Sequence, residues 1–199
     1  MFGFGGRVGV VGRKRRFSVF REYQNRYLAE YTKDLSAKRV LNLGSTPDAS
    51  DKQGKPYEAY FPDAEFLTLD LGGSDHPRHT QADLMQLPAD FGSFDLVLAM
   101  SVIEHIDRPW VAAPHITGLV RPGGYLYIAM PFFYPVHEGP YYGDHWRATP
   151  SAMRFLFEDM KDVRTDLYPS CLIAVKDRSK HWRNPANSYA GFSMLMRKL

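Results

Sequence analysis

The sequence has a single cysteine, Cys171, among its 199 residues. One cysteine excludes an internal disulfide bond and a zinc site built from cysteines. Apolar runs are also short: none approaches the roughly 18 residues that a membrane-spanning helix needs, and the first residues lack the apolar core of a signal peptide. These absences predict a protein without a membrane span, in a reducing compartment that we take to be the cytoplasm.

Acidic residues are scarce at the start of the chain. Residues 1–40 carry ten Lys and Arg against three Asp and Glu, whereas the remainder carries fifteen against nineteen. The run of basic residues at 13–16 follows a glycine-rich segment, which predicts a flexible tail over residues 1–16 and a single domain over residues 17–199. A basic arm for nucleic acid or a membrane surface is the alternative. The early glycines lack a preceding strand, which disfavours an NAD-dependent oxidoreductase.

Apolar periodicity predicts an α/β fold. Apolar and aromatic residues at helical spacing predict an amphipathic helix over residues 17–35. Further helices are expected to begin near Asp107, with Pro109 in the first turn, and at Thr149. Helices and apolar runs alternate, which predicts a doubly wound, mostly parallel sheet with helices on both faces. The predicted strands are residues 38–43, 63–69, 94–100, 125–130, 163–168 and 192–197.

Five short motifs follow one another from residue 39 onward. They are VLNLG at 40–44, LDL at 69–71, ADL at 82–84, FDLV at 94–97 with SVIEHI at 101–106, and LVRPGG at 119–124. In this order and spacing, the chain resembles class I S-adenosylmethionine-dependent methyltransferases of the broad small-molecule type often called type 11. The resemblance implies a Rossmann-like fold, S-adenosylmethionine as cofactor, and methyl transfer to an oxygen or nitrogen of a small polar acceptor.

The resemblance also implies which residues bind the cofactor. Gly44, with Asn42 and Ser45, would lie against its amino-acid end, because a glycine lets the backbone approach closely. The carboxylate of Asp70 would accept from both ribose hydroxyls. The remaining implied contacts, to adenine and to the adenosine and sulfonium end, are Leu71, Asp83, Leu84, Met100, Ser101 and Val102.

One motif departs from the family pattern. Asn42 stands where the family has an acid, and Thr46 and Asp48 stand at later glycine positions. An amide oxygen can still accept from an ammonium group, although with less charge than a carboxylate. The segment before the next strand is short and polar, so we expect a stunted first crossover helix. The departure raises a second hypothesis, a non-catalytic methyltransferase fold kept as a binding or scaffold protein.

Candidate catalytic residues lie in the loop after the 125–130 strand. His137 is the candidate base, with Glu138 or Asp144 orienting it, and His145 is the second candidate. Imidazoles and carboxylates could also ligate a metal, but we predict no metal site in this loop. Trp146 is expected to anchor the loop. Similar loops recur in family members linked with sugar and cell-surface polymer pathways, which suggests a sugar-related acceptor.

The pair Glu104 and His105 is expected to stabilise the loop after the central strand rather than to act in catalysis. A nucleic-acid methyltransferase that uses the basic N-terminus is a third hypothesis. It is disfavoured because the body is mildly acidic and lacks the Asn/Asp-Pro-Pro-Tyr type of motif. The expected partner is therefore a small-molecule acceptor, and the helix over residues 17–35 could also pair two copies into a homodimer.

Overall fold

The structure, a computed structural model, describes residues 18–169 and 189–199. The predicted tail over residues 1–16 and Cys171 lie outside the described residues. The elements in chain order are α1 (Val19–Thr32), β1 (Arg39–Leu43), a 3-10 helix (Tyr57–Tyr60), β2 (Glu65–Asp70), β3 (His79–Gln81), β4 (Phe94–Met100), a 3-10 helix (Ile103–His105), α2 (Pro109–Leu119), β5 (Val120–Pro131), α3 (Pro150–Leu156), β6 (Met160–Pro169) and β7 (Tyr189–Lys198).

Seven strands of the described residues form one sheet in the order β3-β2-β1-β4-β5-β7-β6. Strands β1 to β5 pair in parallel, and β7 runs antiparallel to both β5 and β6. The predicted α/β fold with a mostly parallel sheet is therefore confirmed. The strand order reverses between β1 and β4, and a sheet of this kind opens a ligand crevice at the carboxyl ends of the strands beside that point.

Helix α1 begins at Ser18, whose side chain accepts from the backbone N–H of Arg21, as an N-cap residue should. It covers one face of the sheet by packing against β5, β6 and β7. Its buried face includes Leu28 and Tyr31, and it lies over the fully buried Tyr127 of β5. The helix predicted over residues 17–35 thus forms one layer of the fold. Among the described residues, no helix is long and apolar enough to cross a bilayer.

The other face of the sheet is covered by α2 and α3. Ala112 and Ile116 of α2 and Met153 of α3 are buried in a common apolar core with β4 and β5. Helix α3 has Thr149 as its N-cap, as predicted, but ends at Leu156, and β6 begins at Met160. Both faces of the sheet are therefore closed, which leaves its strand ends as the place for a ligand.

Three local features differ from the sequence prediction or sharpen it. Helix α2 begins at Pro109 with Arg108 as N-cap, so the proposed cap by Asp107 is wrong. The crossover between β1 and β2 contains only the four-residue 3-10 helix Tyr57–Tyr60, which confirms the expected stunted helix. Strand β3 was not predicted, because its three residues are polar and largely exposed and carry no apolar pattern.

Candidate active site

A cleft of about 1140 Å³ opens at the carboxyl ends of β1, β2 and β4. Its position is the point where the strand order reverses, as expected for a ligand site in this kind of sheet. Residues implied by the five motifs gather along its wall. The cleft is lined by all ten predicted cofactor residues: Asn42, Gly44, Ser45, Asp70, Leu71, Asp83, Leu84, Met100, Ser101 and Val102.

Asn42 is the most informative polar residue of the β1 end of the cleft. It lies on β1 with 1% of its surface exposed, and neither Nδ2 nor Oδ1 has a hydrogen-bond partner within residues 18–169 and 189–199. A buried amide without partners costs about 1–3 kcal/mol, so such groups usually serve a ligand or a water molecule. The side chain offers a carbonyl oxygen that accepts and an NH2 group that can donate two hydrogen bonds to polar groups in the cleft.

The backbone after β1 turns sharply at Gly44. This glycine has a φ of +60°, and its N–H donates to the carbonyl of Leu69 at 2.8 Å. A Cβ atom at this position would lie 2.7 Å from Cγ2 of Val102. Two separate reasons therefore favour glycine at position 44: the left-handed backbone, and the close contact between the ends of β1 and β4.

Ser101, directly after β4, also has a left-handed backbone, with a φ of 57°. This conformation costs a non-glycine residue roughly 1–2 kcal/mol. Backbone strain of this kind clusters at functional sites. The strained turn carries the chain from the central strand into the segment of Val102, Glu104 and His105, at the edge of the cleft.

Gly44→Ala should lower the free energy of unfolding by roughly 2–4 kcal/mol, because the substitution adds both a left-handed backbone cost and a clash with Val102. Chemical denaturation measures the effect. Gly118→Ala is the matched control, since Gly118 lies inside α2 with no atom within 4 Å of an added Cβ, and we expect it to stabilise the protein by about 0.5–1 kcal/mol. A double variant with Val102→Ala should recover part of the loss; no recovery would show that the clash is not the cause.

Asp70 ends β2 at the cleft wall. Its Oδ1 accepts from the N–H of Gly72 at 2.7 Å, which fixes the side chain in a turn. Among the described residues, its Oδ2 accepts no hydrogen bond. Leu71, the next residue, lines the cleft with 58% of its surface exposed, although leucine side chains are usually buried. One carboxylate oxygen and one apolar side chain are thus presented together, as a ribose and its attached base would require.

Asp83 and Leu84 follow β3 on the same wall. The carboxylate of Asp83 accepts from the N–H of Met85 and from the side-chain amide of Gln86, both at 2.9 Å. Asp83 therefore caps its own turn, although no helix follows it. A carboxylate has about four acceptor positions, so the two bonds leave capacity for a ligand donor. Leu84 is buried beneath the turn.

The loop after β5 covers the other end of the cleft. Nδ1 of His137 hydrogen-bonds the carbonyl of Pro135 at 3.2 Å and lies 3.1 Å from Oδ2 of Asp144, which accepts from the backbone N–H of His137 at 2.9 Å. Arg147 binds both oxygens of Asp144, and its hydrogen bonds hold the pKa of that carboxyl well below the usual value. The Asp144 side chain has no exposed surface. An ionised carboxylate therefore fixes the His137 ring, with His137 on the cleft wall.

Glu104 and His105 lie where the β4 turn meets this loop. The backbone carbonyl of Glu104 accepts from the N–H groups of His145 and Trp146, and the indole N–H of Trp146 donates to Ile106. The prediction that this segment holds the loop agrees with these bonds, as does the anchoring role of Trp146. The Glu104 side chain takes no part in them: it is fully buried, neither oxygen has a hydrogen-bond partner in the part of the chain that the structure describes, and burial raises its pKa to about 8.

The structure separates the four candidate catalytic residues. His137 and Asp144 lie together, and His145 lines the cleft with an exposed side chain. Glu138 is exposed, does not line the cleft, and makes no ion pair among the described residues. The carboxylate that orients His137 is therefore Asp144. Sequence reasoning missed further lining residues, among them Arg21, Lys52 and Tyr57, because they fall outside every motif.

Comparison with known proteins agrees with this geometry. The methyltransferase domain family matches residues 49–128. An uncharacterised methyltransferase of Mycobacterium sp. (strain JLS) is 29% identical over 108 residues, which cover 52% of this chain and 41% of the relative. The part of the chain over residues 49–128 is therefore similar to a methyltransferase domain. The chain spans about two fifths of the length of this curated relative.

Solved structures share the fold at low sequence identity. The N-methyltransferase NodS from Bradyrhizobium japonicum WM9, solved with S-adenosylhomocysteine, has a TM-score of 0.59 and 14% identity, and the match covers 89% of this chain and 86% of NodS. The [4+2]-cyclase SpnF has a TM-score of 0.58 and 14% identity, with 89% and 80% covered. At these identities the comparison establishes the Rossmann-like fold alone, because one fold hosts several chemistries.

Proposed function

We propose that the protein is an S-adenosylmethionine-dependent methyltransferase that acts on an oxygen or nitrogen of a small polar, sugar-related acceptor. The observation that supports it most is the unpartnered, buried side chain of Asn42 in a cleft at the switch point of the sheet. The single cysteine supports a reducing, cytoplasmic setting as part of the same proposal.

The cleft residues fit the polar groups of this cofactor. Asn42 Oδ1 would accept from the ammonium group, the open approach over Gly44 would hold the amino-acid end, and the free oxygen of Asp70 would accept from the ribose. Leu71 and Leu84 would cover the base, with Asp83 as acceptor for its amino group. When bound, S-adenosylmethionine supplies a methyl group that is already activated for transfer.

The acceptor end of the cleft is formed by the loop after β5. A hydroxyl acceptor must lose a proton when it is methylated, and His137 is the residue placed to receive it. The carbonyl of Pro135 accepts from its Nδ1–H and the Asp144 carboxylate lies 3.1 Å from the same nitrogen, so the lone pair on Nε2 is available to the cleft. Tyr141 and Tyr142 line the same end and add hydroxyl groups and aromatic surface suited to a polar, ring-shaped acceptor.

Two other functions are less well supported. A non-catalytic scaffold would have no use for the His137–Asp144–Arg147 arrangement or for a strained Ser101 beside the cleft. A nucleic-acid methyltransferase would depend on the basic residues 13–16, which lie outside the described residues. The mild acidity of the rest of the chain favours a small-molecule acceptor.

Calorimetric titration with S-adenosylhomocysteine tests the cofactor, and transfer of a labelled methyl group to a panel of free sugars, sugar nucleotides and amines tests the reaction. We expect a micromolar dissociation constant and label in at least one polar acceptor. Binding without transfer to any acceptor class would favour the scaffold reading. Transfer to RNA or DNA that disappears on deletion of residues 1–16 would favour the nucleic-acid reading.

A further inference from the structure

Three potential metal ligands meet at the acceptor end of the cleft. Oε1 of Glu104 lies 3.9 Å from Nε2 of His105 and 3.9 Å from Nε2 of His137. The three ligand atoms all lie within 4.8 Å of one another. The two rings pack edge to face, with centroids 4.9 Å apart. Residues from two separate segments of the chain therefore converge on one point.

Hydrogen bonds fix each histidine in the form that binds a metal. Nδ1 of His105 lies 2.6 Å from the carbonyl of Gly143, so that nitrogen carries the proton and Nε2 keeps its lone pair. Nδ1 of His137 donates to the carbonyl of Pro135 at 3.2 Å and lies 3.1 Å from Oδ2 of Asp144, with the same result at its Nε2. An outer oxygen acceptor on each ring is the usual support of metal-binding histidines. Both Nε2 atoms belong to residues that line the cleft.

The side chain of Glu104 supplies the independent indication of a ligand. It has no exposed surface, and both of its oxygens lack a partner among the described residues. A buried carboxyl group without partners is costly unless it is paired or coordinates a cation. Arg147 binds Asp144 through both oxygens, and among the described residues it makes no hydrogen bond to either oxygen of Glu104.

We propose that Glu104, His105 and His137 bind a divalent transition-metal ion at the acceptor end of the cleft. Two imidazole nitrogens and one carboxylate oxygen suit Zn²⁺, Fe²⁺ or Mn²⁺ better than Ca²⁺ or Mg²⁺, which prefer oxygen ligands. Ligands of one tetrahedral Zn²⁺ lie about 3.3 Å apart, so each Glu104–histidine pair would close by about 0.6 Å. Three protein ligands leave open positions, as in catalytic metal sites.

If the proposed methyl transfer is correct, the proposed metal ion also indicates the chemical class of the acceptor. An ion facing the cleft would bind the acceptor's hydroxyl oxygen and lower its pKa, so the lone pair of His137 would hold the ion and not the proton. The proton would leave to water or to His145, the exposed histidine on the same wall. A vicinal diol could occupy two open positions at once, which narrows the acceptor to a polyol or sugar.

Titration with Zn²⁺ alone, followed by calorimetry, and with Co²⁺ alone, followed by its visible absorption, tests the site. We expect the unchanged protein to bind one ion per chain. Glu104→Gln and His137→Gln should each lower the affinity for the ion by roughly 100-fold or more. His145→Gln is the matched control and should bind as the unchanged protein does. Because Gln removes an unpaired buried carboxyl while keeping its shape, Glu104→Gln should remain folded, with a melting temperature no lower than that of the unchanged protein.

The proposal would be overturned if the unchanged protein bound neither ion, or if Glu104→Gln and His137→Gln bound Zn²⁺ as tightly as His145→Gln did. Titration with S-adenosylhomocysteine in the same samples separates the two proposals. Metal binding without cofactor binding would contradict the methyltransferase function alone. Cofactor binding and methyl transfer without a metal would contradict the metal site alone and leave His137 as the base.

Discussion

Asp70→Ala should weaken S-adenosylhomocysteine binding by roughly 100-fold, because a hydrogen bond to a charged group contributes about 1.5–3 kcal/mol and a ribose offers two hydroxyls to one carboxylate. Asp70 lines the cleft; its Oδ1 accepts from the N–H of Gly72, and its Oδ2 accepts no hydrogen bond from any described residue. Isothermal calorimetry at constant salt measures the change. The side chain is the last of β2, so its loss leaves the core intact.

Asp75→Ala is the matched control for this substitution. Asp75 lies in the exposed loop after β2, does not line the cleft, and makes no ion pair among the described residues. Its replacement changes the net charge equally, so it separates a local contact from general electrostatics. Equal losses in both variants, or no loss in Asp70→Ala, would show that Asp70 does not hold the ribose.

Asp144→Ala should reduce kcat for methyl transfer by about 100- to 1000-fold, which lies within the range attributed to a positioned acid–base group. Asp144 does not touch the acceptor in this account; it is a positioning residue that holds the His137 ring and its tautomer. The dissociation constant of S-adenosylhomocysteine should change little, because Asp144 does not line the cofactor end of the cleft. We therefore expect kcat to fall while the affinity for S-adenosylhomocysteine stays almost the same.

Glu138→Ala is the control, because Glu138 is an exposed carboxylate in the same loop with no role in the His137 contact. Asp144→Asn adds a finer test. Asn can still accept from His137 but leaves Arg147 without its anionic partner, so the pH dependence of kcat should shift relative to that of the unchanged protein. A loss in Asp144→Ala matched by Glu138→Ala, or a loss of cofactor binding equal to the loss of kcat, would mean that the loop merely unfolds.

Much of the fold follows from local sequence signals. The apolar run of residues 94–100 forms β4 with the same bounds, and Ser18 and Thr149 cap their helices through side-chain hydrogen bonds. Such signals act over a few residues, which is why they can be recognised in a sequence. Strand β3 depends on its pairing with β2 and has no apolar pattern of its own, so it could not be predicted.

The cofactor end and the acceptor end of the cleft differ in how far the sequence alone predicts their residues. The residues predicted to bind the cofactor lie at strand ends within motifs of fixed spacing, and all ten line the cleft. At the acceptor end, the contacts join residues far apart in sequence, such as Glu104 with His137 and His105 with Gly143. Burial of the Glu104 side chain, and the choice of Asp144 over Glu138, arise only when the loop after β5 folds back onto the β4 end.

A crystal structure of the protein with S-adenosylhomocysteine tests the central claim most directly. We predict that S-adenosylhomocysteine lies in the cleft, with its ribose hydroxyls on Asp70 and its base between Leu71 and Leu84. The ammonium group of its amino-acid end should contact Asn42. A cleft filled by the protein's own side chains, or a nucleoside bound elsewhere on the chain, would contradict the account.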